Sequence, residues 1–260
     1  MENNDRYSRQ MRLSQIGEAG QKKIESLRIL VLGCGALGSA GAETLARMGV
    51  GFLRLVDRDS VEFSNLPRQH LFKEADAEFK FPKVIAAAKA LSEINSRVKT
   101  ETHILNVDAG NIEPLLENID AVIDGFDRVE MRYLLNDICV KKNIPWFYAG
   151  IRAARAAIMP VIPQGPCFRC VFPDVPAKNS LPTCEDIGVL GAAVATASAF
   201  QVTSLIRYFL EHPAKTFLIN ADLWTQDISK IQVEKEKDCP CCGKHRFEFL
   251  DEKKTSGHVE

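Results

Sequence analysis

A glycine-rich segment, GCGALG at residues 33–38, lies between an apolar run and a stretch of small residues. The apolar run over residues 27–33 predicts a buried strand, and residues 39–48 predict a helix. Glycines in the G-x-G-x-x-G spacing permit a tight turn and let a phosphate approach the amides at the helix N-terminus. The segment therefore favours a nucleotide-binding unit; the alternative is that the glycines only tighten a strand–helix turn.

Apolar runs alternate with helical patterns through the first half of the chain, which is typical of a parallel sheet. Further strands are predicted at residues 52–57, 102–107, 121–124 and 146–149, and further helices at 82–94 and 129–142. Later segments predict a strand (156–162), a proline-rich irregular stretch (163–182), a long buried helix (189–210) and an antiparallel pair (216–221 and 228–233). We expect an α/β fold with a Rossmann-like mixed sheet, parallel in its N-terminal half and antiparallel in its C-terminal half.

Charge and hydropathy exclude several functional classes. The 33 Lys and Arg balance 34 Asp and Glu, giving a net charge of -1, so we expect no nucleic-acid partner. No apolar run approaches the ~20 residues that span a bilayer, and the N-terminus lacks the apolar core of a secretory signal. We therefore expect a soluble cytoplasmic protein without a membrane partner. In that compartment the eight cysteines are expected to be metal ligands, reactive thiols or buried side chains rather than disulfides.

Polar residues after the second predicted strand indicate which nucleotide is bound. Asp57 ends the strand and is placed to bind ribose hydroxyls, a role for which Asp59 is the alternative. Asn65, Arg68 and Lys83 follow as an amide and two cations. A dinucleotide does not need several cations around the first β-α-β unit, whereas a triphosphate does. Each cation alone is more often a solvated surface charge, but together they favour ATP.

The segment Asp124-Gly125-Phe126-Asp127 ends a later strand, at the sheet edge where open α/β folds bind ligands. We interpret Asp124 as an N-terminal helix cap. A carboxylate facing a triphosphate suits Mg²⁺, and we assign that role to Asp127.

Two C-x-x-C pairs offer thiolates at the separation that a tetrahedral zinc ion prefers. They are Cys167 with Cys170 and Cys239 with Cys242. Together they favour a closed structural Zn²⁺ site that ties the middle of the chain to its C-terminal region; a redox pair and buried cysteines are the alternatives. Cys241 is then a spare thiol between ligands, and Cys34 and Cys139 are interpreted as small buried side chains.

Ordered motifs along nearly the whole chain resemble the ThiF/MoeB/HesA family of adenylyltransferases, which are relatives of ubiquitin-activating enzymes. The motifs are RYSRQ at residues 6–10, GCGALG, LVDRD, SNLPRQ, FPK, DGFD, PTCEDIGV and CPCC. The resemblance implies one adenylation domain over residues 1–250. Its expected parts are a helical arm (1–26), a nucleotide-binding half (27–150), a carrier-binding half with the zinc site (151–250) and a polar tail (251–260).

The resemblance also implies site residues and a reaction. ATP would be held by Gly33, Gly35, Gly38, Asp57, Asn65, Arg68 and Lys83, with Mg²⁺ on Asp127. Arg9 would reach the nucleotide of a partner subunit, which implies a homodimer. The substrate would be a small ubiquitin-like sulfur-carrier protein ending in Gly-Gly, of the ThiS or MoaD type. Its C-terminal carboxylate would attack the α-phosphate of ATP and give an acyl-adenylate and pyrophosphate, in thiamine or molybdopterin biosynthesis.

Cys184 matches a position that some relatives use for a covalent link with the activated carrier, although adenylation alone needs no nucleophile. No rhodanese-like domain follows residue 250, so we expect the sulfur to come from another protein. Two departures leave the carrier undetermined: Arg128 replaces a common asparagine, and Lys80, followed by Phe81, replaces a usual glycine. The alternatives are activation of another acyl group or of a tRNA nucleoside, a non-catalytic nucleotide-binding scaffold, and a nicotinamide oxidoreductase.

Overall fold

The strand β1 (Arg28–Leu32) lies in the parallel half of the sheet, between β2 (Phe52–Asp57) and β4 (Ala121–Asp124). Its residues alternate between two apolar cores, one on each face of the sheet. Ile29 and Val31 belong to one core, and Leu30 and Leu32 belong to the other. A strand buried on both faces needs a continuous apolar sequence, and RILVL supplies one.

The computed structural model describes residues 6–176 and 187–251. Eight strands form one sheet in the order β3-β2-β1-β4-β5-β6-β7-β8. The remaining strands are β3 (Lys99–Ile104), β5 (Trp146–Arg152), β6 (Arg155–Val161), β7 (Thr216–Asp222) and β8 (Asp227–Val233). Pairing is parallel from β3 to β5 and antiparallel from β5 to β8, which confirms the expected mixed α/β sheet.

Helices cover both faces of the sheet. They are α1 (Ser8–Met11), α2 (Gly17–Ser26), α3 (Ala36–Met48), α4 (Glu74–Glu78), α5 (Lys83–Ile94), α6 (Val129–Lys142), α7 (Phe168–Val171), α8 (Gly191–Glu211) and α9 (Glu248–Asp251). Side chains of α3, α5 and α8 enter one core, and side chains of α6 enter the other. The 21-residue α8 buries a stripe of small and aliphatic side chains at helical spacing, as expected for the long helix in the C-terminal half.

Several sequence-based boundaries were wrong. The strand predicted at 146–149 continues to Arg152, and the stretch predicted to be irregular at 163–182 contains the one-turn helix α7. The third strand covers Lys99–Ile104 rather than residues 102–107, because the partly exposed sequence KTETHI lacks the apolar run that marks a buried strand. The first long helix begins at Ala36 rather than Ser39, since Gly35 already occupies its N-cap. Among the described residues, no helix combines the length and the apolar character that crossing a membrane demands.

Candidate nucleotide site and cysteine cluster

The glycine loop is closely packed against the loop that follows β4. A Cβ added at Gly33 would lie 2.6 Å from the carbonyl oxygen of Gly125, and one at Gly38 would lie 1.8 Å from the carbonyl oxygen of Gly33. Gly33 also has a φ of 87°, which glycine adopts without strain. Gly35 differs, because a Cβ there would meet nothing within 4 Å. Two of the glycines therefore serve the tight turn, and Gly35 leaves open space at the N-terminus of α3.

Asp57 lies against this loop at the end of β2. Its carboxylate accepts the backbone amide of Cys34 at 2.7 Å and that of Asp59 at 2.8 Å. Burial raises the pKa of Asp57, opposed by these hydrogen bonds and by the nearby Lys83 ammonium. The Lys83 ammonium, nearly buried, lies 3.3 Å from Asp59 Oδ2. Asp57 rather than Asp59 thus contacts the glycine loop.

The segment carrying Asn65 and Arg68 forms a short turn of its own. Asn65 Oδ1 accepts the amide of Glu62 at 3.2 Å, and the Arg68 guanidinium donates to the Ser64 carbonyl at 2.7 Å. The amide of His70 donates to Ser39 Oγ on α3 at 3.2 Å. A Cβ at Gly191, the first residue of α8, would lie 2.7 Å from the Pro67 carbonyl oxygen. The turn is therefore fixed beside the N-termini of α3 and α8.

The loop after β4 places Asp127, which is exposed, beside the glycine loop. The amide of Gly125 donates to the Leu32 carbonyl at 2.8 Å, and a Cβ at Gly125 would lie 2.3 Å from the Gly33 carbonyl oxygen. The interpretation of Asp124 as a helix cap was wrong. Arg128 is the N-cap of α6, without a side-chain cap, and Asp124 is instead fully buried against Arg132. Asp124 therefore forms an ion pair with Arg132, further along the helix, instead of capping the helix N-terminus.

Arg9 is not near these residues within one subunit. Its helix is anchored by neighbours: Gln10 Nε2 donates to the Met48 carbonyl at 3.1 Å, and Tyr7 accepts Asn95 Nδ2 at 2.9 Å. Met48 is the last residue of α3, whose 13 residues separate it from the glycine loop by about 20 Å. Arg9 thus lies at the opposite end of α3 from the glycine loop.

A cleft of about 1740 Å³ opens next to Asp127 over the antiparallel half of the sheet. Its walls come from the start of α6, from β5 to β8 and from residues around α7. Arg132 and Tyr148 lie on its floor, and our sequence reasoning did not single out either of them. No signal in the sequence distinguishes Arg132, because the predicted helix at 129–142 contains four other charged residues.

The four predicted cysteine ligands come together. Their Sγ atoms all lie within 4.8 Å of one another, with Cys167 and Cys239 at 3.5 Å and Cys170 and Cys242 at 3.4 Å. Cys167 is the N-cap of α7 and Cys170 lies within that helix, while Cys239 and Cys242 lie in the turn before α9. The three other described cysteines, Cys34, Cys139 and Cys241, are buried, as predicted for Cys34 and Cys139. Cys184 lies outside the described residues.

The sheet, the glycine loop and the polar residues around it define a Rossmann-like nucleotide-binding protein. A profile of the ThiF family matches residues 7–241. The sulfur carrier protein ThiS adenylyltransferase of Bacillus subtilis is 37% identical over 248 residues, covering 94% of this chain and 73% of that protein. The SAMP-activating enzyme E1 of Haloferax volcanii is 33% identical over 250 residues, covering 95% and 92% respectively.

Escherichia coli MccB, crystallised with succinimide, has the same fold. Its TM-score is 0.79 at 24% identity, covering 93% of this chain and 75% of that chain. The chain therefore belongs to the ThiF family. Like its named relatives, it is an enzyme of the adenylyltransferase class.

Proposed function

We propose that this protein adenylylates the C-terminal glycine of a small ubiquitin-like sulfur carrier ending in Gly-Gly, of the ThiS or MoaD type. Mg-ATP is consumed and pyrophosphate is released, in thiamine or molybdopterin cofactor biosynthesis. The observation that carries the proposal is the close packing of three elements: the glycine loop, Asp57 and the loop bearing Asp127. The names of the relatives support the substrate class, since they include a ThiS adenylyltransferase and a SAMP-activating enzyme.

The assigned ATP ligands occupy one edge of the sheet. Gly35 leaves space for a phosphate at the N-terminus of α3, where unpaired amides favour an anion. Asp57 lies beside that loop for the ribose, and Asn65, Arg68 and Lys83 lie on the segment after β2. Attack of a carboxylate on a phosphate brings two anions together, so Arg68 and Lys83 would lower the barrier electrostatically. A carboxylate already ionised at neutral pH needs no side-chain base.

Magnesium fits the exposed carboxylate of Asp127, since Mg²⁺ is commonly held by one or two carboxylates together with phosphate oxygens. When bound there, Mg²⁺ would neutralise charge on the phosphates of ATP. The chain's own contribution is to hold Asp127 beside the glycine loop through the contact between Gly125 and Gly33.

The cleft over the antiparallel half is assigned to the carrier. It begins at Asp127, where the reacting phosphate would be, and continues across β5 to β8, within residues 151–250 for most of its length. An extended Gly-Gly tail could lie along it with its carboxylate at the Asp127 end. The exposed strand β8 offers Ile228, which lines the cleft, as an apolar contact.

The position of Arg9 supports a homodimer with composite sites. A residue at the opposite end of α3 cannot approach the phosphates bound by its own chain. The length of α3 does not restrict the N-terminal arm of a second subunit in the same way. We therefore assign Arg9 to the nucleotide of a partner subunit.

Zinc is assigned to the cysteine cluster. A tetrahedral site with Zn–S bonds of about 2.3 Å separates its sulfurs by about 3.8 Å. The Sγ separations of 3.5 Å between Cys167 and Cys239 and 3.4 Å between Cys170 and Cys242 fit that geometry, as does the approach of all four Sγ atoms to within 4.8 Å of one another. Four thiolates leave no open position for water, so the role of the ion would be structural.

The test is exchange of labelled pyrophosphate into ATP, with a ThiS-like carrier, a MoaD-like carrier or none. Exchange that needs one carrier supports the proposal and names the pathway; no exchange with any carrier overturns it. Arg68→Ala and Asp127→Ala should each abolish exchange with the fold intact. Arg47→Ala is the control, because this exposed arginine pairs with Glu43 on its own helix. Full activity in both site variants would refute the assigned roles.

Cys184 requires a separate variant because it acts, on this proposal, only after adenylation. Cys184→Ala should leave pyrophosphate exchange unchanged even where it blocks sulfur transfer to the carrier. Loss of exchange in this variant would place the thiol in the earlier step.

A further inference from the structure

Asn136, in the middle of α6, contacts both of the chain segments that carry the cysteine cluster. It is completely buried, with 0% of its surface exposed. Its Nδ2 donates to the sulfur of Cys241 at 3.2 Å, and its Oδ1 accepts the backbone amide of Phe168 at 2.9 Å. Phe168 lies between Cys167 and Cys170, and Cys241 lies between Cys239 and Cys242. One helical side chain therefore joins two segments far apart in the sequence.

An amide this deeply buried is costly unless its polar groups are bonded. The contacts of Asn136 described above use both ends of the amide, and both lead to the cysteine segments. The adjacent Asp137, also fully buried, accepts the backbone amide of Phe249 on α9 at 3.0 Å. Asn136 and Asp137 thus connect the cysteine segments and α9 to this turn of α6.

The same helix carries the residue that fixes the loop of Asp127. Arg132 is four positions before Asn136, so the two side chains lie one turn apart on neighbouring positions of the helix surface. Arg132 Nη2 donates to the carbonyl of Phe126 at 2.6 Å, directly before Asp127. The cysteine cluster and the Asp127 loop are therefore both fastened to one short section of α6.

We propose that Asn136 is a positioning residue that docks the cysteine cluster on α6 and so couples zinc retention to Mg-ATP binding at the Asp127 loop. The inference rests on the proposed function, which supplies the two ligands, zinc and Mg-ATP. Through Asn136, the bound ion holds α6 in place, and α6 in turn holds Arg132 and the loop. Asn136 contacts residues next to the ligands rather than the ligands themselves, so we expect its removal to lower zinc affinity by about 10-fold, the lower end of the effect of removing a group that orients metal ligands directly.

The test uses full-length protein and measures zinc affinity by competition with a chelator of known affinity. Asn136→Asp keeps the acceptor for Phe168 and loses the donor for Cys241, and Asn136→Leu loses both bonds. Zinc affinity should fall by about 10-fold or more, further in the leucine variant. Ile138→Val is the matched control, because it removes one buried methyl from the same helix without removing a hydrogen bond. Affinity equal to that of the control in both Asn136 variants would overturn the proposal.

The second readout is Mg-ATP affinity by calorimetry, with zinc bound and with zinc removed. Zinc should strengthen Mg-ATP binding by about fivefold or more in the wild type, and less in Asn136→Leu. If the protein unfolds when zinc is removed, the Mg-ATP affinities of the wild type, Asn136→Asp and Ile138→Val are compared at saturating zinc. Equal Mg-ATP affinity in all three would overturn the coupling. A wild type that binds no Mg-ATP would refute the proposed function, while the zinc affinities still decide the role of Asn136.

Discussion

Arg132 donates through Nε to Oδ2 of Asp124 at 2.7 Å, in a position where Asp124 has no exposed surface. The other oxygen of Asp124 accepts the amide of Phe126 at 3.0 Å, and Arg132 Nη2 also donates to the Ala149 carbonyl at 3.1 Å. Burial raises the pKa of the Asp124 carboxyl, and the guanidinium opposes that effect. The pair thereby joins the end of β4, the start of α6 and β5 around the loop that carries Asp127.

Removing one member of this pair should be strongly destabilising. In Arg132→Met the Asp124 carboxylate is left buried without its cation, so the free energy of unfolding should fall by about 3–5 kcal/mol. Arg128→Met is the control, because Arg128 is exposed and caps α6 without a side-chain hydrogen bond. Urea unfolding of both variants is the measurement. A loss in Arg132→Met no larger than in the control would show that the pair does not stabilise the loop.

Two glycines of the loop should respond differently to alanine. Gly38→Ala forces a Cβ to within 1.8 Å of a backbone oxygen, so the loop must deform and both stability and ATP binding should fall. Gly35→Ala has open space, so the fold should remain stable while ATP binding weakens at least tenfold, about 1.4 kcal/mol. Calorimetric ATP titration alongside thermal unfolding separates the two effects. Unchanged ATP affinity in a stable Gly35→Ala protein would remove Gly35 from the nucleotide site.

Local patterns were sufficient to predict the mixed sheet and the glycine loop. The apolar run of β1, the glycine spacing and the strand-end Asp57 are each determined by residues close in sequence. The misassigned Asp124 shows the limit. Whether a strand-end carboxylate caps the next helix or pairs with Arg132 depends on which side chains the fold buries together. The contacts of Asn136 could not be predicted either, because its partners lie 32 and 105 positions away in the sequence.

The backbone conformation of Lys80 accounts for the glycine that is usual at this position in the family. Its φ is 47°, in the left-handed region that glycine adopts at little cost and other residues occupy with about 1–2 kcal/mol of strain. Replacement by glycine removes this strain. Glycine also increases the conformational entropy of the unfolded chain, which offsets part of the resulting stabilisation. Lys80→Gly should therefore raise the free energy of unfolding by up to about 1 kcal/mol, measured in urea, with exchange unchanged. A destabilised variant would mean that the lysine side chain makes contacts that outweigh the backbone strain.

Glu101 should contribute a pH-dependent part of the stability. Hydrogen bonds from Arg54, at 2.9 and 3.2 Å, and from His103 lower the pKa of its carboxyl below the usual 4.5. Since the folded pKa is the lower one, the ionised carboxylate stabilises the fold above about pH 4.5. This stabilisation is lost as the pH falls through the lowered value. Glu101→Gln should therefore be less stable than wild type at pH 7, with a difference that narrows on acidification. Urea unfolding at pH 7, 5 and 3.5 checks this, and a difference independent of pH would exclude the carboxylate as its source.

Cys241 and Cys242 are adjacent in sequence, yet only Cys242 belongs to the set of clustered ligand atoms. Cys242→Ser removes one of four thiolates, and a three-thiolate site binds zinc far less tightly, so purified protein should contain little zinc. Cys241→Ser keeps all four thiolates, and its hydroxyl can still accept the hydrogen bond from Asn136, so one zinc per chain should remain. Elemental analysis after dialysis against a chelator gives the metal content, and thermal unfolding shows whether each variant is folded. Zinc retained in Cys242→Ser and lost in Cys241→Ser would reassign the fourth ligand to Cys241.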